Sequence, residues 1–390
     1  MALRYLTSGE SHGPAIIGIL EGFPAGVPIS EDEINKQLER RQRGFGAGLR
    51  MKKEQDRAII LGGMMGGVST GAPIAVYIEN KDHVNWKGSQ IAPMTVPRPG
   101  HADLVGAVKF GFSDLRMTLE RASARETVAR VAIGAICRQL LLHFGIEVGG
   151  YVAEIGGIAA TLTDIPLDKR SVTAEMNAVR CPDENAAQKM QQQIQEIIEA
   201  RDTLGGIIEV YATGLPVGLG THAQWDRKIE AQLGAALLSI QAIKGIEFGT
   251  AFENARKKGT EVQDPIKLDG NQIIRTSNHS GGVEGGITNG QPLLVRAAMK
   301  PIATTLTPQP TVDLSNGAEV LSEYHRSDYC PVPRAVPVLE AVTAFILADG
   351  VIEKLGGDSL EEMTGRFKNL RKMQLSDLSM DNQERIWWSA

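Results

Sequence analysis

Forty-three glycines in a chain of 390 residues constrain the fold more than any other feature, since about 11% glycine stands against a usual level of about 7%. A residue without a Cβ turns where others cannot and lets backbone or ligand approach closely. With 18 prolines added, the two types stay below the roughly 25–30% of low-complexity chains. The surplus therefore belongs to a folded protein with many tight turns. Hydrophobic residues at 42% and charged residues at 22% agree, and exclude bulk disorder. By length, two to three domains of typical size are expected.

Local charge departs from overall charge. The chain carries 41 Lys and Arg against 46 Asp and Glu, a net -5, which argues against a surface devoted to nucleic acid. Any anion site must be local. Cys137, Cys181 and Cys330 form no CxxC or Cys/His pattern, so neither a disulfide framework nor structural zinc is expected, and a reducing cytosol is the natural setting. Glu10, Ser11 and His12 interrupt any leader-like apolar core, and the apolar run at 341–348 is fenced by Glu340 and Asp349. No exported or membrane-spanning segment is expected.

Caps and periodicity together predict several helices. Ser30 and Glu33 form a capping box, with Ile34, Leu38 and Arg41 continuing one face. Ser123 and Glu126 open a second, carried by Val128, Val131, Ala135, Ile136 and Leu140 until Gly145 stops it. Others follow Met190, Ile194, Ile197 and Ile198, then Leu233, Ala236, Leu237 and Ile240, then Val338, Val342 and Phe345 to about Gly356. Strands are expected at 58–61, 73–79, 147–155, 207–214 and 293–299. The alternation is too irregular for a doubly wound sheet, and no GxGxxG stands at a strand-to-helix junction, so the expected class is α+β. Residues 357–390 form a charged tail ending near Trp387 and Trp388, either loosely ordered or an oligomer contact.

The chemistry concentrates in polar loops. Residues 36–57 hold Lys36, Arg40, Arg41, Arg43, Arg50, Lys52, Lys53 and Arg57 against three acids, threaded through Gly44, Gly46 and Gly48. A solvated loop is one reading. Convergence of guanidinium forks and backbone N–H groups on a small multiply charged anion is the other. RNA is a third partner class, disfavoured because only Phe45 offers a stacking surface. Arg121 and Arg125 flank Ser123 at a predicted helix start, where the dipole favours anions; they serve either a docked anion or salt bridges to Glu120 and Glu126. His12 and His101 lie in Gly/Pro-rich turns, as a general acid is presented to a ligand. Asp103 beside His101 is a poor metal pattern. The glycines at 281, 282, 285, 286 and 290 permit close approach to a flat or phosphorylated ligand.

GESHG at 9–13, Arg40-Arg41 with the basic loop, PRPGHADL at 97–104, ERASARET at 120–127, SGGVEGGITNGQP at 280–292, KPIATT at 300–305 and RSDYCPVPRAVP at 326–337 occur in the order found in one family. Over about residues 3–356, the chain resembles the chorismate synthases. That resemblance implies a single-domain β-α-β sandwich over 1–356 followed by the tail 357–390, assembled as a homotetramer in the cytoplasm. It implies conversion of 5-enolpyruvylshikimate 3-phosphate to chorismate by 1,4-anti elimination of phosphate, a lyase reaction that uses reduced FMN without net redox change.

Residue by residue, the resemblance puts His12 near the leaving phosphate, His101 near the reduced flavin, and Asp328 in a proton relay. It assigns substrate anions to Arg41, Arg50, Arg98, Arg125 and Arg326. Flavin contacts fall on Arg121, Ala122, Ser123, Gln241, Ala242, Gly285, Lys300, Pro301, Ile302, Ala303, Thr304 and Arg326. Ala47 stands where the family commonly has arginine, and Ala122 where serine is frequent; Arg43 is the candidate replacement guanidinium. With no separate dinucleotide-binding domain visible, NADPH is expected to act indirectly, through a separate flavin reductase. An FMN- or phosphate-binding regulator is the non-enzymatic rival, disfavoured because His12, His101 and Asp328 are all present. No metal, nucleic acid or membrane is implied.

Overall fold

The computed structural model describes residues 3–46, 56–323 and 327–388. The first sheet is antiparallel in the order β1 (Arg4–Ser8), β2 (Ala15–Glu21), β4 (Ile74–Glu79), β3 (Ala58–Gly62). Its strands turn Ile16, Leu20, Ile74, Val76 and Ile78 inward, all fully buried. The second sheet runs β7 (Ile243–Phe248), β8 (Leu293–Met299), β6 (Gly206–Thr213), β5 (Glu147–Ile155), closed by a two-residue edge at Ile158–Ala159. All its pairings are antiparallel too.

Helices fill the space between the sheets. The two longest are α4 (Thr127–His143) and α8 (Val332–Leu355). They pack on each other, with α4 against β2 and β4 and α8 against β5 and β6. Beside them lie α1 (Glu31–Gln42) and α7 (Ile229–Leu238). The result is the expected α+β class, with its β-α-β layering. Glycine enables the tightest contact, because a Cβ on Gly134 of α4 would stand 2.4 Å from the Ala341 Cβ of α8. By length and composition α8 could cross a membrane, yet it is mostly buried between the sheets.

The predicted helices form with local differences. Ser30 caps α1 by accepting from the Glu33 N–H at 3.3 Å, and Ile34, Leu38 and Arg41 are its buried face. Ser123 does not open a long helix. It ends α3 (Arg116–Ala122) and caps a 3-10 turn at Ala124–Glu126, after which α4 begins. Arg121 therefore occupies the last turn of α3, where the dipole favours a cation. A further helix, α6 (Glu184–Glu199), agrees with its apolar period.

After Gly356 the chain enters α9 (Leu360–Lys368), whose Met363 is fully buried and whose Phe367 ring lies 4.8 Å from that of Phe144. Residues 372–376 then hydrogen-bond along the hairpin of Ile266–Asp269 and Gln272–Arg275. Cys137, Cys181 and Cys330 are free and buried.

Candidate active site

The turn between β1 and β2 carries His12, and α3 reaches it from outside the sheet. Glu120 of α3 accepts from the His12 backbone N–H at 2.8 Å and faces the ring Nδ1 at 2.7 Å. Burial works against ionisation of Glu120, but its hydrogen bonds from His12 outweigh it and hold the carboxyl below its usual range. One residue on, Arg121 donates to the carbonyls of Thr7 at 2.8 Å and Gly9 at 3.2 Å, so it braces the same turn. The Ser123 and Ser11 hydroxyls lie 3.1 Å apart. Asn80 completes the support by donating to the carbonyls of Ser11 and Gly13.

A second histidine is held by the loop that leads into α2 (Asp103–Phe110). Asp103 is fully buried; its Oδ1 lies 2.6 Å from His101 Nδ1, while Arg98 grips both oxygens, Nε to Oδ2 at 2.8 Å and Nη2 to Oδ1 at 3.0 Å. Burial again opposes ionisation, and the His101 and Arg98 hydrogen bonds overcome it, driving the Asp103 carboxyl far below the carboxylate range. Arg98 Nη1 also donates to Thr304 Oγ1 at 3.0 Å, and Lys300 Nζ to the Gly100 carbonyl at 2.9 Å. The 98–103 and 300–304 loops are thereby one unit.

Of the arginines expected to bind substrate, Arg41 and Arg125 form a third group. Asp56 lies 2.6 Å from Arg125 Nη1 and 3.6 Å from Arg41 Nη1, with all three side chains buried. Of the two readings, the one that pairs Arg121 and Arg125 with Glu120 and Glu126 is replaced: Arg125 meets Asp56, Glu126 pairs with Arg130, and Glu120 serves His12. Two guanidiniums thus converge on one buried carboxylate. Asp328 pairs with Arg334, whose Nε donates to the Arg41 carbonyl at 3.2 Å. Arg180 ties this corner together by donating to the carbonyls of Arg40, Arg43 and Pro333. The Arg43 guanidinium turns back to Glu39 on α1. Arg50, Arg326 and Ala47 lie outside the described residues.

The segment after α7 runs from the Arg130–Glu126 pair to Lys300 of the second group. Ser239 Oγ accepts from Arg130 Nη1 at 2.6 Å, and the Ala242 carbonyl accepts from the Lys300 N–H at 2.9 Å. Between them the buried Gln241 Oε1 has no hydrogen-bond partner among the described residues. A buried acceptor left so is costly unless a ligand donor meets it. Gly285 lies toward the other end of α7. Its neighbour Gly286 accepts from Ile229 N–H at the start of α7, whereas Gln241 follows the end of that ten-residue helix, a rise of about 15 Å.

The family model described as chorismate synthase matches residues 3–352. The chain belongs to the chorismate synthase family. Among curated chorismate synthases, that of Desulforudis audaxviator is 48% identical over 372 residues, covering 93% of this chain and 95% of its own. That of Symbiobacterium thermophilum is 49% identical over 382 residues, covering 94% and 98%. A solved structure titled as the crystal structure of chorismate synthase superposes with a TM-score of 0.78 at 42% identity, covering 95% of this chain and 97% of that one. The protein is accordingly an enzyme with the chorismate synthase function in aromatic biosynthesis.

Three partners in the site escaped the sequence reading: Asp56, Asn80 and Glu120 in its role toward His12. None is marked by spacing, since Arg125 and Asp56 are 69 positions apart and His12 and Glu120 are 108 apart.

Proposed function

We propose that this chorismate synthase catalyses the 1,4-anti elimination of phosphate from 5-enolpyruvylshikimate 3-phosphate. The C3–O bond breaks with its electron pair leaving on phosphate, the C6 hydrogen departs from the opposite face, and a new double bond forms. The observation that carries this reading is two histidines, each oriented by a carboxylate, within a frame of arginines. His12 holds a proton for the departing phosphate oxygen, and His101 serves proton transfer on the flavin side. Arg41, Arg98 and Arg125, with Arg50 and Arg326, bind the two carboxylates and the phosphate.

The residues fit a flavin. The buried acceptor of Gln241 calls for a donor, and the 300–304 loop joins the His101 loop through Lys300 and Thr304. Arg121, Ala122, Ser123, Gln241, Ala242 and Lys300 to Thr304 would hold the group, with Gly285 and Arg326 by resemblance. When bound, reduced FMN supplies electron density that is lent to the substrate and recovered. Asp328, held by Arg334, carries the proton away from the site. The enzyme works as a cytoplasmic homotetramer whose FMN is reduced by a separate reductase, with NADPH as the indirect reductant.

The test is an anaerobic assay with substrate and dithionite-reduced FMN. Many turnovers without net flavin oxidation are expected, and none with oxidised FMN in air. One FMN oxidised per product would reject the mechanism.

A further inference from the structure

We propose that Glu120 and Trp86 are positioning residues for His12: Glu120 fixes the Nδ1–H tautomer, which makes Nε2 the nitrogen that exchanges the proton with substrate, and Trp86 fixes the plane of the ring. The inference rests on the role given to His12 above and adds two residues to it.

Glu120 is committed to His12 at both oxygens. Oε2 takes the backbone N–H at 2.8 Å and Oε1 faces ring Nδ1 at 2.7 Å, so main chain and imidazole are fixed relative to one another. An ionised carboxylate only accepts, so the proton at that contact must sit on Nδ1. Held below its usual range by the His12 hydrogen bonds against the effect of burial, Glu120 remains an acceptor at neutral pH. The two side chains are only 18% and 13% exposed, which limits competition from water. In the neutral ring the lone pair is then on Nε2, and in the charged ring the second N–H is there.

Trp86 fixes the remaining freedom, rotation of the ring about its bonds. Its ring centroid lies 4.0 Å from that of His12, tilted by 37°. The indole is itself anchored, with Nε1 donating to Asp82 Oδ2 at 3.3 Å and the Arg116 guanidinium 5.8 Å from its centroid. His83 donates through its ring to the His12 carbonyl at 2.9 Å, and the Ser11 N–H donates to the Glu120 carbonyl at 3.0 Å. His101 shares its carboxylate, because Asp103 divides its oxygens between His101 and Arg98.

The experiment reads the ring nitrogens of His12 by long-range proton–nitrogen NMR in the full-length, ligand-free protein labelled at histidine, at a pH where the imidazole is neutral. A His12→Asn variant identifies the signal. The parent should show an Nδ1–H ring, and Glu120→Gln should shift it toward Nε2–H. Under reduced FMN, kcat of Glu120→Gln should fall by about 100-fold, inside the range of about 100- to 10,000-fold that a positioned acid or base contributes, with KM changed less than about threefold. Trp86→Phe should retain most of the parent kcat, and Trp86→Ala should lose about tenfold through the freed ring. An unchanged tautomer in Glu120→Gln, or a rise in KM at parent kcat, overturns the proposal, and if that variant fails to fold, an Nε2–H ring in the parent does so alone. Failure of the parent in the anaerobic assay would instead strike the reaction assignment, and the tautomer measurement is independent of it.

Discussion

Asp56 shows how one buried residue changes the meaning of its neighbours. Read from the sequence, Arg125 has either a ligand anion or a nearby glutamate as its partner; in the fold its Nη1 lies 2.6 Å from Asp56, with both side chains nearly inaccessible. Removing one member of a buried ion pair strands the other and costs about 3–5 kcal/mol. Arg41, 3.6 Å away, compensates in part, so Arg125→Ala should destabilise the protein by about 3 kcal/mol, the lower end of that range. It should also raise KM for an anionic substrate, since the cluster loses one of its guanidiniums. Thermal melts and steady-state kinetics on one preparation check both. A parent melting temperature would show that Asp56 is not the partner that matters.

Among the elements, the glycine-rich segment 278–292 is governed by a residue outside it. A Cβ on Gly282, at φ +82°, would lie 2.4 Å from the Pro292 carbonyl, so the turn requires glycine, but glycine alone does not fix its place. Asp264 does, accepting from Ser277 Oγ at 2.6 Å and from the backbone N–H groups of His279 at 2.8 Å and Ser280 at 3.0 Å. Burial opposes ionisation of Asp264, and those hydrogen bonds overcome it, bringing its carboxyl down to about 2. Its unfolded value is about 3.9. A carboxyl depressed on folding stabilises the native state above its unfolded value and loses that contribution as pH falls through its folded value. The melting temperature of Asp264→Asn should therefore lie below the parent's at pH 7, with the gap shrinking below about pH 4 and gone near pH 2. A gap constant across that window would exclude Asp264 as the anchor.

For the molecule as a whole, the C-terminal segment divides energetically within itself. Leu360 and Met363 of α9 are buried in the main core, whereas Met380, Ile386, Trp387 and Trp388 are largely exposed. Burying one large apolar side chain contributes about 1.5–3 kcal/mol. A chain ending at Gly356 should lose about 3–6 kcal/mol from these two side chains, and one ending at Ser379 should melt with the parent. Denaturant unfolding of both checks this, and equal midpoints for all three chains would show that α9 adds nothing.

The sequence by itself determined what depends on near neighbours. Ser30 three residues before Glu33, the i, i+3 and i+7 spacing along α4, and the motif strings that mark the family are all local. So is the His101–Asp103 proximity. Where local signal was weak, the reading failed: β2 runs Ala15–Glu21 with Ile17 and Ile19 exposed opposite buried Ile16 and Leu20, so both faces are apolar and alternation vanishes. Ser123 satisfied a capping pattern yet caps only a 3-10 turn, because α3 ends there. Only the tertiary structure decided that Glu120 serves His12, that Asp56 stands between Arg41 and Arg125, and that Thr304 meets Arg98 across 206 positions. The physical reason is that helix and strand periods relate residues a few positions apart, while partners across the fold are chosen by how two sheets close over α4 and α8.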